Sequence, residues 1–402
     1  MKTTKTTITK LFAVLAISAS FLASCSSDDN KVVEEVIEEP SSTFSANPAD
    51  FQGMINDGEV TLDATKVYKL TGKLQVNNGA TLTIPAGTKI EGTGGTSAYI
   101  AIAQGGKINV NGTATAPVIM TSASATPTGG NWGGLVICGK APINRVNGVV
   151  STAQSEVADL TYGGSVSDDN SGSINYLVVA YAGASFSATK EFNGISFFGV
   201  GSGTKVNFVQ SIHGADDGFE FFGGTVNTSN LISVGNEDDQ FDWTEGWNGT
   251  NTNWYGKIAY GKGNRGIEAD NYEFGFPNTP ISNPTITNIT LVGPGSGASA
   301  TDYAENQAFK FRRGTKSIVS NAAISGWKTG IDVENDETLS FMGTLLKVSD
   351  VSFADVTNKS TGKKTDGTPA AATAVFTENA AATGAGNGLN TPTWAAGWTL
   401  AF

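Results

Sequence analysis

The sequence predicts an all-β solenoid, one chain wound into a single-stranded parallel β-helix. Three observations carry that prediction. Stretches of alternating apolar and polar residues recur every 22 to 26 positions, helical periodicity is nearly absent, and the composition is that of strands and tight turns. Glycine supplies 50 of 402 residues and charged side chains only 15%, against roughly 25% in ordinary globular chains. With 39% hydrophobic residues the chain can bury a large core, which excludes wholesale disorder.

The register is readable from the N-terminal coils. Superposing the stretch at Leu74 on the one at Ile100 holds a constant offset of 26: Leu74 falls on Ile100, Val76 on Ile102, Gly79 on Gly105, Leu82 on Ile108 and Ile84 on Val110. Each copy has two short alternating strands, 73–77 with 81–85 and 99–103 with 107–111, parted by a Gly-containing turn. Six further strands open later coils at Gly194, Gly218, Gln240, Gly266, Ala308 and Gly330, with offsets of 24, 22, 26, 42 and 22. The long offset calls for an insertion, placed at about 271–306, where Pro277, Pro280, Pro284 and Pro294 break the pattern. A second strand follows within coils at 206–209, 231–234, 254–260 and 286–292. Residues 352–402, rich in Ala, Thr and Gly, are expected to cap the open end of the solenoid.

Repeats of this length, stacked about 4.8 Å apart with one side chain in two buried, resemble the right-handed parallel β-helix of pectin-lyase-like proteins over about residues 70–351. A leucine-rich-repeat solenoid would need its Leu/Asn signature, and a propeller longer four-stranded blades.

Ahead of the helix domain, assigned to 47–402, lie two shorter segments. Lys2, Lys5 and Lys10 precede an apolar run at 11–23, too short to cross a bilayer and of signal-peptide size, so residues 1–24 are expected to be cleaved. Leu22-Ala23-Ser24-Cys25 resembles a bacterial lipobox, which implies a diacylated Cys25 as the membrane attachment. Residues 25–46 read as the lipidated cysteine and an acidic tether. Ser26-Ser27-Asp28-Asp29 is similar to the export signal that sends lipoproteins of Bacteroidetes to the outer face of the outer membrane. The expectation is therefore a lipid-anchored outer-membrane protein facing the cell exterior. With Cys25 consumed, Cys138 has no disulfide partner and reads as a small buried hydrophobe. A net charge of -12 leaves no basic surface for nucleic acid.

The stacked coils put chemistry in line. If Phe219, Phe241, Ile267, Phe309 and Ile331 point inward, an outer column runs Ser196, Glu220, Asp242, Glu268, Lys310, Asp332. A second, two residues on, runs Phe198, Phe222, Thr244, Asp270, Arg312, Glu334. Carboxylates at one-coil spacing repel one another unless cations, raised pKa values or Lys310 and Arg312 compensate. The same residues fit a plain surface ladder of mixed charge. No cofactor is required, but calcium suits the oxygen donors of Asp216, Glu220, Asp242 and Glu268.

The turns Ala215-Asp216-Asp217-Gly218 and Glu237-Asp238-Asp239-Gln240 resemble the acid turns of polygalacturonase-type glycoside hydrolases. By that resemblance Asp217, Asp238 and Asp239 fall on the catalytic acids, and Lys310-Phe311-Arg312 looks like a permuted Arg-Ile-Lys strand. One acid would protonate the leaving oxygen, others would activate water, and Lys310, Arg312 and Arg265 would hold an acidic sugar. A calcium-dependent polysaccharide lyase is the neighbouring option. The pattern departs where Asn264-Arg265-Gly266 replaces a Gly-His-Gly turn, and the lone His213 precedes the first acid pair. Asp-Gly is also an ordinary turn choice. Trp247, in a polar turn, and Tyr272 are expected to stack on a sugar face or to cover the insertion. One histidine excludes His-rich zinc sites, and P-loop and G-x-S-x-G motifs are absent. The reading is a surface lipoprotein that presents a β-helix to extracellular polysaccharide or to another outer-membrane protein without catalysis; the alternative is the hydrolase or lyase.

Overall fold

A computed structural model describes residues 42–187, 190–259, 261–303 and 305–402. The signal peptide, Cys25 and all but the end of the tether lie outside the described residues. Within them, 23 strands join into one continuous parallel sheet that winds as a right-handed β-helix. Helix is confined to the turn Asp336–Ser340 and two short 3-10 segments.

Each coil contributes to three faces. The first face stacks Leu74–Val76, Ile100–Ile102, Leu135–Cys138, Ile195–Phe198, Phe219–Phe222, Phe241–Thr244, Ile267–Asp270 and Gln307–Arg312. Register is held throughout: Leu74 pairs with Ile100, Ile195 with Phe219, Phe219 with Phe241 and Ile267 with Phe309. These inward residues are all fully buried, and their rings stack, Phe219 on Phe241 at 5.6 Å and Phe197 on Phe221 at 5.0 Å.

The second and third faces share long strands that bend once. Gly172–Ala180, Lys205–Ile212, Asn227–Val234, Thr250–Lys257 and Thr285–Val292 each turn a corner at one left-handed residue. The column of corners is Tyr176, Phe208, Asn230, Asn253, Asn288, Asn321 and Asp350, with φ between 51° and 64°. Asparagine tolerates this conformation and bonds to its neighbours in the stack: Asn288 Nδ2 donates to Asn253 Oδ1 at 2.9 Å and Asn321 Nδ2 to Asn288 Oδ1 at 2.7 Å.

Thr285–Val292 runs inside the segment expected as one insertion at 271–306. Two separate loops therefore stand there, 271–284 and 293–306, on different corners. A third excursion, 139–171, carries a small antiparallel pair, Ala153–Gln154 with Thr161–Tyr162. It covers the outer side of the first face, where Val136, Cys138, Phe198 and Phe222 pack against Ile143, Leu160 and Tyr162. The C-terminal residues do more than end the solenoid. Trp394, Trp398 and Phe402 lie back along the outside of the third face against Tyr176, Phe208, Ile232 and Tyr255. Gln210 and Leu400 exchange hydrogen bonds at 2.8 and 3.2 Å across a separation of 190 residues.

Candidate functional site: an acid-floored cleft

The outer side of the first face changes character along its length. Ala101, Val136 and Ser196 give way in the same column to Glu220, Asp242, Glu268, Lys310 and Asp332. The 139–171 excursion ends its cover where the acids begin, and the 271–284 loop rises on the other side. Between them opens a cleft of about 230 Å³, floored by Glu220, Asp242 and Glu268 and walled by Arg145, Glu156 and Tyr272. Phe274 stands at its rim, 79% exposed.

The carboxylates crowd. Oxygens of Asp217, Glu220 and Asp242 lie within 4.8 Å of one another, as do those of Asp239, Asp242 and Glu268, and those of Asp216, Asp217 and Asp238. Burial, then mutual repulsion, pushes Asp217, Glu220 and Asp242 well above the usual carboxylate range and Asp216 up to about 8. Among the described residues the Asp242 carboxylate has no hydrogen bond or ion pair; Glu220 accepts one bond, from Asn193 Nδ2 at 2.6 Å. Oxygen donors this close and short of protein partners suit a hard divalent cation.

The resemblance-derived acids occupy different roles. Asp217 and Asp239 brace the turns: Asp239 N–H donates to Asp217 Oδ1 at 2.8 Å, and Arg265 N–H to Asp239 Oδ1 at 2.7 Å. The second Asp239 oxygen accepts from Arg265 Nη1 at 3.1 Å, so this buried carboxylate is fully engaged. Asp238, on the outer side of the turn, bonds Asn264.

The cations are likewise spent. Arg265 is 9% exposed and contacts Asp239, Glu268 and Glu305, while Lys310, 7% exposed, lies among Glu305, Asp332 and Glu334. Glu305, from the 293–306 loop, covers both, so neither presents a free charge to a sugar, contrary to the expectation for them. Arg312 does line the cleft, tied to Glu268 and Asp270. Tyr272 lines it too. Trp247 does not: it is 0% exposed, stacked 4.0 Å from Phe221, and its Nε1 donates to Val226 O at 3.2 Å. The expectation of a sugar platform at Trp247 is corrected, because the polar turn around it aims the indole inward. His213 stacks on Tyr181 at the corner after the third face, away from the cleft lining. Cys138 is buried, its thiol pushed up to about 12.

The sequence reading missed the 139–171 excursion and with it Arg145 and Glu156, which line one wall, and Tyr162, which bonds Glu245; it also passed over Glu245 itself, at the corner of the coil. Glu245 had a signal: it follows the acid column in a corner position that Gly199 and Gly223 fill on the two coils before, yet it keeps φ 56° with a side chain.

Neither a curated protein nor a solved structure matches the chain. A family model described as a pectate-lyase-like beta helix domain matches residues 53–399, nearly the whole of the described fold, and the chain belongs to that family.

Proposed function

We propose that this protein is a lipid-anchored lipoprotein of the outer-membrane surface whose acid-floored cleft binds extracellular glycan, with calcium held by Asp217, Glu220 and Asp242. The observation that carries the reading is the cleft itself: an open groove of about 230 Å³ lined by Tyr272 and Phe274 and floored by crowded carboxylates, of which Asp242 has no partner among the described residues and Glu220 only Asn193. Rings of this kind stack on sugar faces. The floor would repel an acidic sugar by itself, so a cation on those oxygens is what lets an anionic glycan approach. The lipobox at Cys25 and the Ser-Ser-Asp-Asp stretch after it support the anchor and the address.

A second reading, cleavage of acidic polysaccharide by hydrolysis or elimination, is favoured by one residue. Glu156 lines the cleft, and burial followed by the nearby Glu245 charge lifts its pKa to about 7, the range of a general acid. Calorimetric titration with plant and microbial oligosaccharides, in calcium and in EDTA, together with product analysis, separates the two. Calcium-dependent heat without products supports binding. Products abolished by Glu156→Gln make the protein an enzyme, and no heat from any glycan in either buffer sinks both. Palmitate labelling lost in Cys25→Ala, and protease access on intact cells, test the anchor and the address.

A further inference from the structure

The cleft contains three arginines, and only one has its fork free. Arg312 spends Nε and Nη2 on Asp270 and Glu268, and Arg313 spends Nη1 on Asp270 and Nη2 on Glu273. Arg145 commits Nε, donating to Glu245 Oε1 at 2.7 Å, and its guanidinium lies 5.9 Å from the centre of the Tyr162 ring; among the described residues no carboxylate or carbonyl accepts from Nη1 or Nη2. Its side chain is 38% exposed at the cleft mouth.

The rest of the arrangement holds that guanidinium in place. Glu245 is buried and uses both oxygens, Oε1 for Arg145 and Oε2 for the Tyr162 hydroxyl at 2.6 Å. It therefore has nothing left for a ligand. The backbone next to Arg145 is pinned as well: Asn144 N–H donates to Glu245 O at 3.0 Å, Asn144 Nδ2 to Asn271 Oδ1 at 2.8 Å, and Asn278 Nδ2 to Asn144 O at 2.8 Å. These contacts tie the 139–171 excursion, the 271–284 loop and the coil corner at one point. A glutamate kept in a left-handed corner, where the two preceding coils place glycine, bears conformational strain for the sake of its side chain.

We propose that Arg145 reads an anionic group of the bound glycan, carboxylate or sulfate, and that Glu245 and Tyr162 are its positioning residues. The inference rests on the glycan-binding reading above and adds to it the residue that selects for charge. A planar fork fixed at one edge and open at the other binds such an oxyanion through two parallel N–H donors. The floor carboxylates and Arg145 then divide the cleft: the former hold a cation, the latter meets the ligand's own charge.

The test is calorimetric titration in calcium with three probes: a galacturonate trisaccharide, its carboxyl-reduced counterpart and a sulfated galactan oligosaccharide. Arg145→Gln should weaken the charged probe that the wild type binds by about 10- to 100-fold and leave the reduced probe unchanged. Arg145→Lys, which keeps the charge without the fork, should fall between, and Tyr162→Phe should weaken only the charged probe. Because Arg145→Gln leaves Glu245 buried without a cation, the double variant with Glu245→Gln provides a folded comparison, checked by circular dichroism. Whether carboxylate or sulfate is read follows from which charged probe responds. Equal losses for charged and reduced probes, or none for the charged ones, would overturn the role of Arg145 while leaving glycan binding intact. A wild type that binds no probe would remove the glycan reading and this inference together.

Discussion

Stripping divalent cations should make the fold less stable as pH rises, the reverse of ordinary acid denaturation. Asp216 titrates at about 8 and Glu156 at about 7 in the folded protein, because burial and then neighbouring acids disfavour the charged forms. In an unfolded chain such groups titrate near 4. A raised folded pKa gives stability that is complete below the unfolded value and is lost as pH climbs through the folded one. Between about pH 5 and 6 the native state thus holds both protons while the unfolded state has shed them, and stability should fall by about 1.4 kcal/mol per pH unit for each, or about 2.7 for the pair, the slope easing as Glu156 begins to titrate near 7. Asp217, Glu220 and Asp242, raised for the same reason, steepen the slope. Calcium on the proposed site would replace the protons, so it should flatten the slope and add about 2.7 kcal/mol at one hundred times its dissociation constant. Urea unfolding followed by the fluorescence of buried tryptophans such as Trp243, Trp247 and Trp254, across this pH range with EDTA or calcium, measures both. Stability that is flat or rising in EDTA would refute the buried-acid argument, and identical curves in the two buffers would refute the cation site.

Three further substitutions probe the scaffold. Trp247→Ala removes an indole packed against Phe221 and Trp254 and should cost about 3–5 kcal/mol in urea unfolding; a change near zero would place the side chain outside the core. Asn321→Ala loses the bond to Asn288 and the acceptor for Thr383 and Gly384 N–H, and puts Ala in a left-handed corner, together about 2–4 kcal/mol. Trp398→Ala should expose the C-terminal stretch, which has no Lys or Arg after Lys364, to limited chymotrypsin cleavage ahead of global unfolding, with the cleavage pattern of the coils unchanged.

Register was the most legible property, because period-two alternation at a fixed offset admits one pairing. Leu74 on Ile100, Leu82 on Ile108, and the column Ser196, Glu220, Asp242, Glu268, Lys310, Asp332 all pair as the spacing requires. The split between second and third faces was not legible, since a single left-handed residue such as Asn230 or Asn253 bends a strand without interrupting its alternation. The acids of the cleft floor could be named from the columns; their partners could not. Glu305 over Lys310, and Arg145 beside Glu245, come from loops without periodicity. Trp247 misled because the polarity of neighbouring turn residues says nothing about the direction of one side chain.

The bonds between Gln210 and Leu400 alter what kind of object the solenoid is. A stack of coils that touch only their neighbours melts like a zipper, fraying from whichever end is weaker. Here the last residues of the chain grip coils laid down far earlier, so the terminal coils cannot peel away without first breaking contacts in the middle of the stack. The latch also closes late, for Leu400 can find Gln210 only after the intervening coils have been wound into place. Loss of the final few residues would thus turn one cooperative unit into a row of loosely coupled ones, with the fold still recognisable and its resistance to local opening gone.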